Sequence, residues 1–299
     1  MDGLTTQVTE QMSARECGQA CAVASQVQRD LLGRAAAYPE LFPARPFDAT
    51  FFSTIALANT FCAPGVSAEK LRAANRITMW IFGVDRLMDH LATSRSEIDD
   101  IVARCRAVAD GAPAPSGDPL AAYLAEIRDE LATAPAFAVL GDVWRVELHR
   151  MLASMARDWE WKQARATDPA APLPTLDAYL EGAEFGYSLV YVSHWIFTTD
   201  GPVGAVDELL EAGRQVQRVI RILNDFGTYH RDVSWGDVNA LLLGVPRADV
   251  TARLEELIGH CRRLLAPLRA DHRPLAVFLD RHIDFNQGFY GLADYWGEL

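Results

Sequence analysis

The sequence predicts an all-α protein: about ten helices in a single domain spanning 1–299, packed around a central apolar cavity. Three observations carry that prediction. Breakers recur at 39–46, 63–67, 111–119, 168–174, 198–204, 244–249 and 271–274, each rich in Pro, Gly, Asp or Ser. The segments between them are dominated by Ala, Leu, Arg and Glu, which favour helix. Within them apolar residues step by three and four, as at Leu120, Tyr123, Leu124, Ile127 and Leu131. No alternating run with an Asn-Gly or Asp-Gly turn predicts a hairpin, and no repeat of 20–50 residues is visible.

Taken in order, the first sixteen residues have neither a basic start nor an apolar run, so they do not read as a secretory signal. Cys17 and Cys21 share one helix face. With Cys62, Cys105 and Cys261 they make an odd set lacking any CxxC pair, which predicts buried free thiols in a reducing cytosol. Ser67, with Glu69 in the following turn, opens a helix. Thr175, after Pro174 and before Asp177, opens another that reaches about Phe197; Gly182, Gly186 and Ser188 inside it permit a kink. The most apolar stretch, 189–199, is shorter than the ~20 residues a membrane span needs. A cytoplasmic protein without a membrane segment is expected.

Composition limits the partners. Half of the 299 residues are hydrophobic and 23% are charged, enough apolar mass for a large core and an internal cavity. The 28 Lys and Arg against 40 Asp and Glu leave a net charge of -12. That balance disfavours nonspecific binding to nucleic acid or to an anionic membrane. A small anion held through bound cations remains compatible with it.

Two segments carry chemistry. In 80–90, Asp85 and Asp89 stand one helical turn apart at the end of an apolar run, so both carboxylates share an inward face. An acid pair there is costly unless something cationic compensates it. In 218–232, Asn224, Thr228 and Asp232 step by four and present an amide oxygen, a hydroxyl and a carboxylate along one stripe. Hard oxygen ligands of this kind suit Mg2+, which keeps water and phosphate oxygens in its shell. Arg221 and Arg231 flank the stripe and supply donors for an anion held by the same metal. Each segment read alone also fits a polar helix face with ordinary ion pairs.

The segment from Asn224 and Asp225 through Thr228 to Arg231 and Asp232 resembles the second metal-binding motif of class I terpene synthases, with Asp232 where the family usually has Glu. The segment from Asp85 to Asp89 resembles the family's aspartate-rich D-D-x-x-D motif, with Arg86 at its second position. The order and the separation of about 140 residues are also similar to the family's. Phe289-Tyr290 through Asp294-Tyr295 resembles the closing segment of bacterial diterpene synthases. The stretch from Tyr179 to Glu184 lacks the diphosphate-sensing arginine that many microbial members carry there. Together with Arg86, that absence looks like the labdane-related branch, which accepts copalyl-type diphosphates.

What the resemblance implies is a Mg2+-dependent lyase that ionises a labdadienyl diphosphate and lets the carbocation cyclise, rearrange and lose a proton or capture water. Three Mg2+ ions with diphosphate bound are expected. Asp85 and Asp89 would hold metal from one helix; Asn224, Thr228 and Asp232 from another; Arg221, Arg231 and Tyr290 would contact diphosphate. Aromatic faces attract a desolvated cation, and Phe82, Trp80, Phe185, Trp195 and Phe289 are the leading cavity-lining candidates, with Phe51, Phe52, Tyr191 and Trp296 behind them. Each is equally readable as core packing. His90 and His194 are candidate acceptors of the terminal proton. The alternatives are a class I cyclase acting directly on linear geranylgeranyl or farnesyl diphosphate, and a nonenzymatic helical binding module. A homodimer is a weaker expectation.

Overall fold

The structure is a computed structural model that describes residues 12–296. The described residues form helices and no strand, as the spacing of breakers and apolar residues predicts. In chain order the helices are α1 (Ala14–Ala37), α2 (Ala49–Cys62), α3 (Ala68–Arg86), α4 (Arg95–Ala109), α5 (Pro119–Leu131), α6 (Phe137–Thr167), α7 (Leu176–Glu181), α8 (Tyr187–Thr198), α9 (Val206–Trp235), α10 (Arg247–Asp271) and α11 (Arg273–Tyr290).

Local chemistry sets most helix starts. Ser13 and Glu16 form a reciprocal capping box at α1. Asp48, Ser67, Ser94, Asp118 and Thr175 each accept a backbone N–H of the following turn. The predicted loop at 271–274 shrinks to His272, because Pro274 falls in the first turn of α11, where its missing N–H costs nothing. The segment from 175 to 197 is two helices rather than one kinked helix. Its break at 182–186 ends on Gly186, whose φ of +113° is left-handed.

The five residues Leu120, Tyr123, Leu124, Ile127 and Leu131 all lie in the core. There α3 packs against α1, α5 and α8, α6 against α4 and α8, and α9 against α8, α10 and α11, while α11 also meets α2. The expectation of buried thiols holds for Cys62, Cys105 and Cys261 but not for α1, where Cys17 is half-buried and Cys21 exposed. The reason is α1 itself: its buried stripe is Ala20, Ala24, Val27 and Leu31, and Cys21 falls about 100° away from it. No described helix is long and apolar enough to cross a membrane.

Candidate active site

A cavity of about 180 Å3 opens between α2, α3, α8, α9 and α11. That is far more than the ~10–15 Å3 needed to hold one water. Asp85 and Asp89 both line it. The helix does not continue regularly between them. After Arg86 the chain widens into one π turn, Leu87–Leu91, where the Ala92 N–H reaches back five residues to the Leu87 carbonyl. Such widened turns cluster at functional sites. Neither carboxylate has a hydrogen bond or an ion pair to another described side chain. Burial, reinforced by Asp237, raises the proton affinity of Asp85, and burial together with Asp85 raises that of Asp89. Lys162 is the nearby cation, but it is bound to Asp237 at 2.6 Å and donates to the Asp89 backbone carbonyl at 3.1 Å. Arg86 is not part of the lining.

The opposite wall is α9. Asn224, Asp225, Arg221, Arg231 and Asp232 line the cavity, and Thr228 does not. The Thr228 hydroxyl lies 2.6 Å from Asp232 Oδ2 and 2.9 Å from the Asn224 carbonyl, so it props the acid rather than facing the hollow. Asn239 Nδ2 donates to the same Asp232 oxygen at 2.9 Å. Asp225 is closed off: the Tyr179 hydroxyl donates to it at 3.0 Å, the Ala240 N–H donates at 3.0 Å, and Arg221 stands 3.7 Å away. Burial pushes the Asp225 carboxyl up to about 7. The flanking cations are also engaged, Arg221 with Asp158 at 3.1 Å and the Tyr179 hydroxyl at 2.5 Å, Arg231 with Asp294 at 2.7 Å. Tyr290 lines the cavity beside Asn224. Gly227 lets this happen, because a Cβ there would come within 2.9 Å of the Tyr290 carbonyl.

Of the aromatic candidates, Phe82, Phe185 and Trp296 line the cavity. Trp80 and Trp195 do not. Trp80 lies about 140° round α3 from Asp85, and its indole donates to the Leu120 carbonyl at 3.0 Å. Trp195 is displaced by the same angle from the lining residue Val190 and is 2% exposed in the core. Phe289 turns about 100° away from Tyr290 and packs on Phe285 and Tyr295. Phe51, Phe52 and Tyr191 are core residues behind the wall. His194 is also outside the lining, stacked 3.8 Å from Phe278, whereas His90 stands in the cavity wall against Trp235.

The donor set fits a hard cation: two carboxylates with no partner of their own face a carboxylate and an amide, with no thiolate present. Among the described residues no three acid, His or Cys side chains already converge on one point. A family model described as terpene synthase family 2, C-terminal metal binding, matches residues 76–263, which spans both walls. The chain belongs to this family.

Among its relatives is ent-pimara-9(11),15-diene synthase from Streptomyces sp. (strain KO-3988), 29% identical over 92% of this chain and 93% of that protein. Among solved structures, 2-methylisoborneol synthase from Streptomyces coelicolor A3(2) superposes with a TM-score of 0.69 at 15% identity, over 89% of each chain. Linalool/nerolidol synthase from Streptomyces clavuligerus, in complex with 2-fluorogeranyl diphosphate, gives 0.62 at 18% identity, over 89% of this chain and 96% of that one. In this terpene synthase several cavity residues escaped the reading of the sequence. Asp237, Tyr187 and His282 belong to neither motif, and no spacing connects them. Only folding brings α8, α11 and the segment after α9 to one opening, with Lys162 of α6 bound to Asp237 beside it.

Proposed function

We propose that the protein is a Mg2+-dependent diterpene synthase that ionises a labdadienyl diphosphate of the copalyl type. The observation that carries the reading is the unpartnered pair Asp85 and Asp89 at one end of a cavity whose walls otherwise hold Ile55, Phe82, Phe185 and Val190. Asp85 and Asp89 would hold metal from one wall, and Asn224 and Asp232 from the other, with Thr228 fixing the Asp232 carboxylate. Mg2+, when bound, would stabilise the charge that develops on the leaving diphosphate oxygens. Arg221, Arg231 and Tyr290 would contact diphosphate oxygens once the metal has offset the acidic rim. The aromatic faces then exclude water and stabilise the cation by up to ~2 kcal/mol each.

A diterpene-sized substrate is supported by the ent-pimaradiene synthase relative, and a divalent cation by the solved 2-methylisoborneol synthase complex with Mg2+ and 2-fluorogeranyl diphosphate. The labdane reading is supported by Arg86 and by Tyr179, which stands in a stretch without arginine and accepts the Arg221 Nε–H. Linear geranylgeranyl diphosphate is the second substrate to test, because the same rim serves any allylic diphosphate. Incubation with copalyl-type, geranylgeranyl and farnesyl diphosphates, with and without a chelator, is the direct experiment. Diphosphate release that stops with the chelator and is fastest with the bicyclic substrate is expected. Asp85→Ala and Asn224→Ala should each cut turnover by roughly 10²-fold or more. Hydrocarbon formation that survives complete metal removal would refute the reading.

A further inference from the structure

Beyond the two motifs, one imidazole stands in the cavity wall far from the acidic rim. His282, on α11, lines the hollow and is 2% exposed. It lies eight residues before Tyr290, about 12 Å along the helix from the end that meets Asn224. Its Nδ1 sits 2.8 Å from the Phe278 carbonyl, one turn back on the same helix. A carbonyl only accepts, so Nδ1 carries the proton in the neutral ring and Nε2 carries the lone pair. Nε2 has no hydrogen bond from a described residue. The ring is clamped by Phe278 at 4.5 Å, Tyr191 at 5.3 Å and Tyr187 at 5.9 Å, and Asn286 Nδ2 donates to the His282 carbonyl at 2.7 Å. The surroundings are aromatic and uncharged, apart from the neutral neighbour His194, whose own ring lies outside the lining.

We propose that His282 Nε2 is the terminal proton acceptor for a carbocation held at the inner end of the cavity. The proposal rests on the functional reading above. The C–H bond next to the cationic carbon breaks, its electron pair fills the empty orbital as a new C=C bond, and the proton moves to Nε2. A carbocation makes that C–H so acidic that a weak base suffices. Burial holds the imidazole down to about 4, so it is neutral before the step. The same shift makes the imidazolium shed its proton to the water that refills the cavity when the product leaves. His282 stands about two helical turns before Tyr290 on α11, with its lone pair on the hollow, and as the base it decides where the double bond forms.

The test separates ionisation from termination. His282→Asn keeps a donor for the Phe278 carbonyl, and His282→Phe keeps the ring; neither offers the nitrogen lone pair. Diphosphate release and the product profile by mass spectrometry are read on the same samples, with thermal unfolding of each variant. Diphosphate release should continue while the main wild-type alkene falls by about a hundredfold, replaced by isomeric alkenes or an alcohol. A folded variant that releases diphosphate and gives the wild-type profile overturns the proposal. A wild-type chain that releases diphosphate from none of the substrates overturns the functional reading, and this proposal with it. A measurement on the wild-type chain covers variants that fail to fold: diethyl pyrocarbonate should modify His282 and not His194, and an ammonium analogue of the cation, added with inorganic diphosphate and Mg2+, should protect it. An unmodified or unprotected His282 overturns the proposal.

Discussion

Asp85 and Asp89 bring negative charge into a cavity where no described side chain is hydrogen-bonded or ion-paired to either of them, and the nearby cations only partly offset their burial. For Asp89 the folded state binds a proton more tightly than the ordinary carboxylate value of 3.8, because burial and Asp85 both penalise its ionised form. The sign follows from linkage. An acid whose affinity is raised on folding costs nothing below its unfolded value, and the cost grows as pH rises through the folded value. Asp89→Asn removes it. The metal-free variant should therefore melt above the wild type at pH 7.5, with the difference closing as pH falls towards 4. Thermal unfolding across that range checks it; a wild type that melts higher at neutral pH without metal would show that Asp89 has a partner after all. The contrast with Asp225 is instructive. Its oxygens are taken up by Tyr179 and Ala240, and Arg221 stands beside it, so this acid of the motif ties α7 and the segment after α9 to α9.

The decisive element is the break between α7 and α8. It brings Phe185, Gly186 and Tyr187 to the cavity surface, where an uninterrupted helix would keep its backbone sealed. Gly186 supports it in two ways. Its φ of +113° strains any residue with a side chain, and a Cβ there would stand 2.7 Å from Ile81 Cδ1. Gly186→Ala should destabilise the protein by about 1–3 kcal/mol and disturb the product profile as Phe185 and Tyr187 move. Denaturant unfolding and product analysis of one preparation check both. A variant with an unchanged midpoint would mean that the break relaxes freely. The π turn after α3 plays the matching part on the other wall, re-aiming Asp89 relative to Asp85.

At the scale of the molecule, a chain of net charge -12 accepts a polyanion only where cations invert the local field. Asp85, Asp89, Asp158, Asp232 and Asp237 outnumber Lys162, Arg221 and Arg231 around the rim, so diphosphate alone meets repulsion there. Inorganic diphosphate by itself should barely move the melting temperature. Mg2+ with diphosphate should raise it clearly, since a ligand at 100 times its dissociation constant adds about 2.7 kcal/mol to the folded state. Differential scanning fluorimetry with each component alone and together checks the prediction. An equal shift from diphosphate without Mg2+ would sink the idea that metal bridges the two walls.

The sequence by itself determined whatever depends on neighbours along the chain. Breaker spacing and apolar periodicity gave the helices, and capping residues such as Ser67 and Thr175 marked their starts, because helix bonds and caps close within four residues. Asp85 with Asp89, and Asn224 with Asp232, were legible for the same reason: each pair lies within one or two turns. Only the tertiary structure decided which oxygens face the hollow. It turned Thr228 to Asp232, closed Asp225 against Tyr179, and sent Trp80 to α5 and Trp195 into the core, while recruiting His282 and Asp237 from distant segments. The physical reason is that a helix presents every direction around its axis. Sequence spacing fixes which residues share a face, but only the packing of other helices chooses whether that face meets core, solvent or cavity.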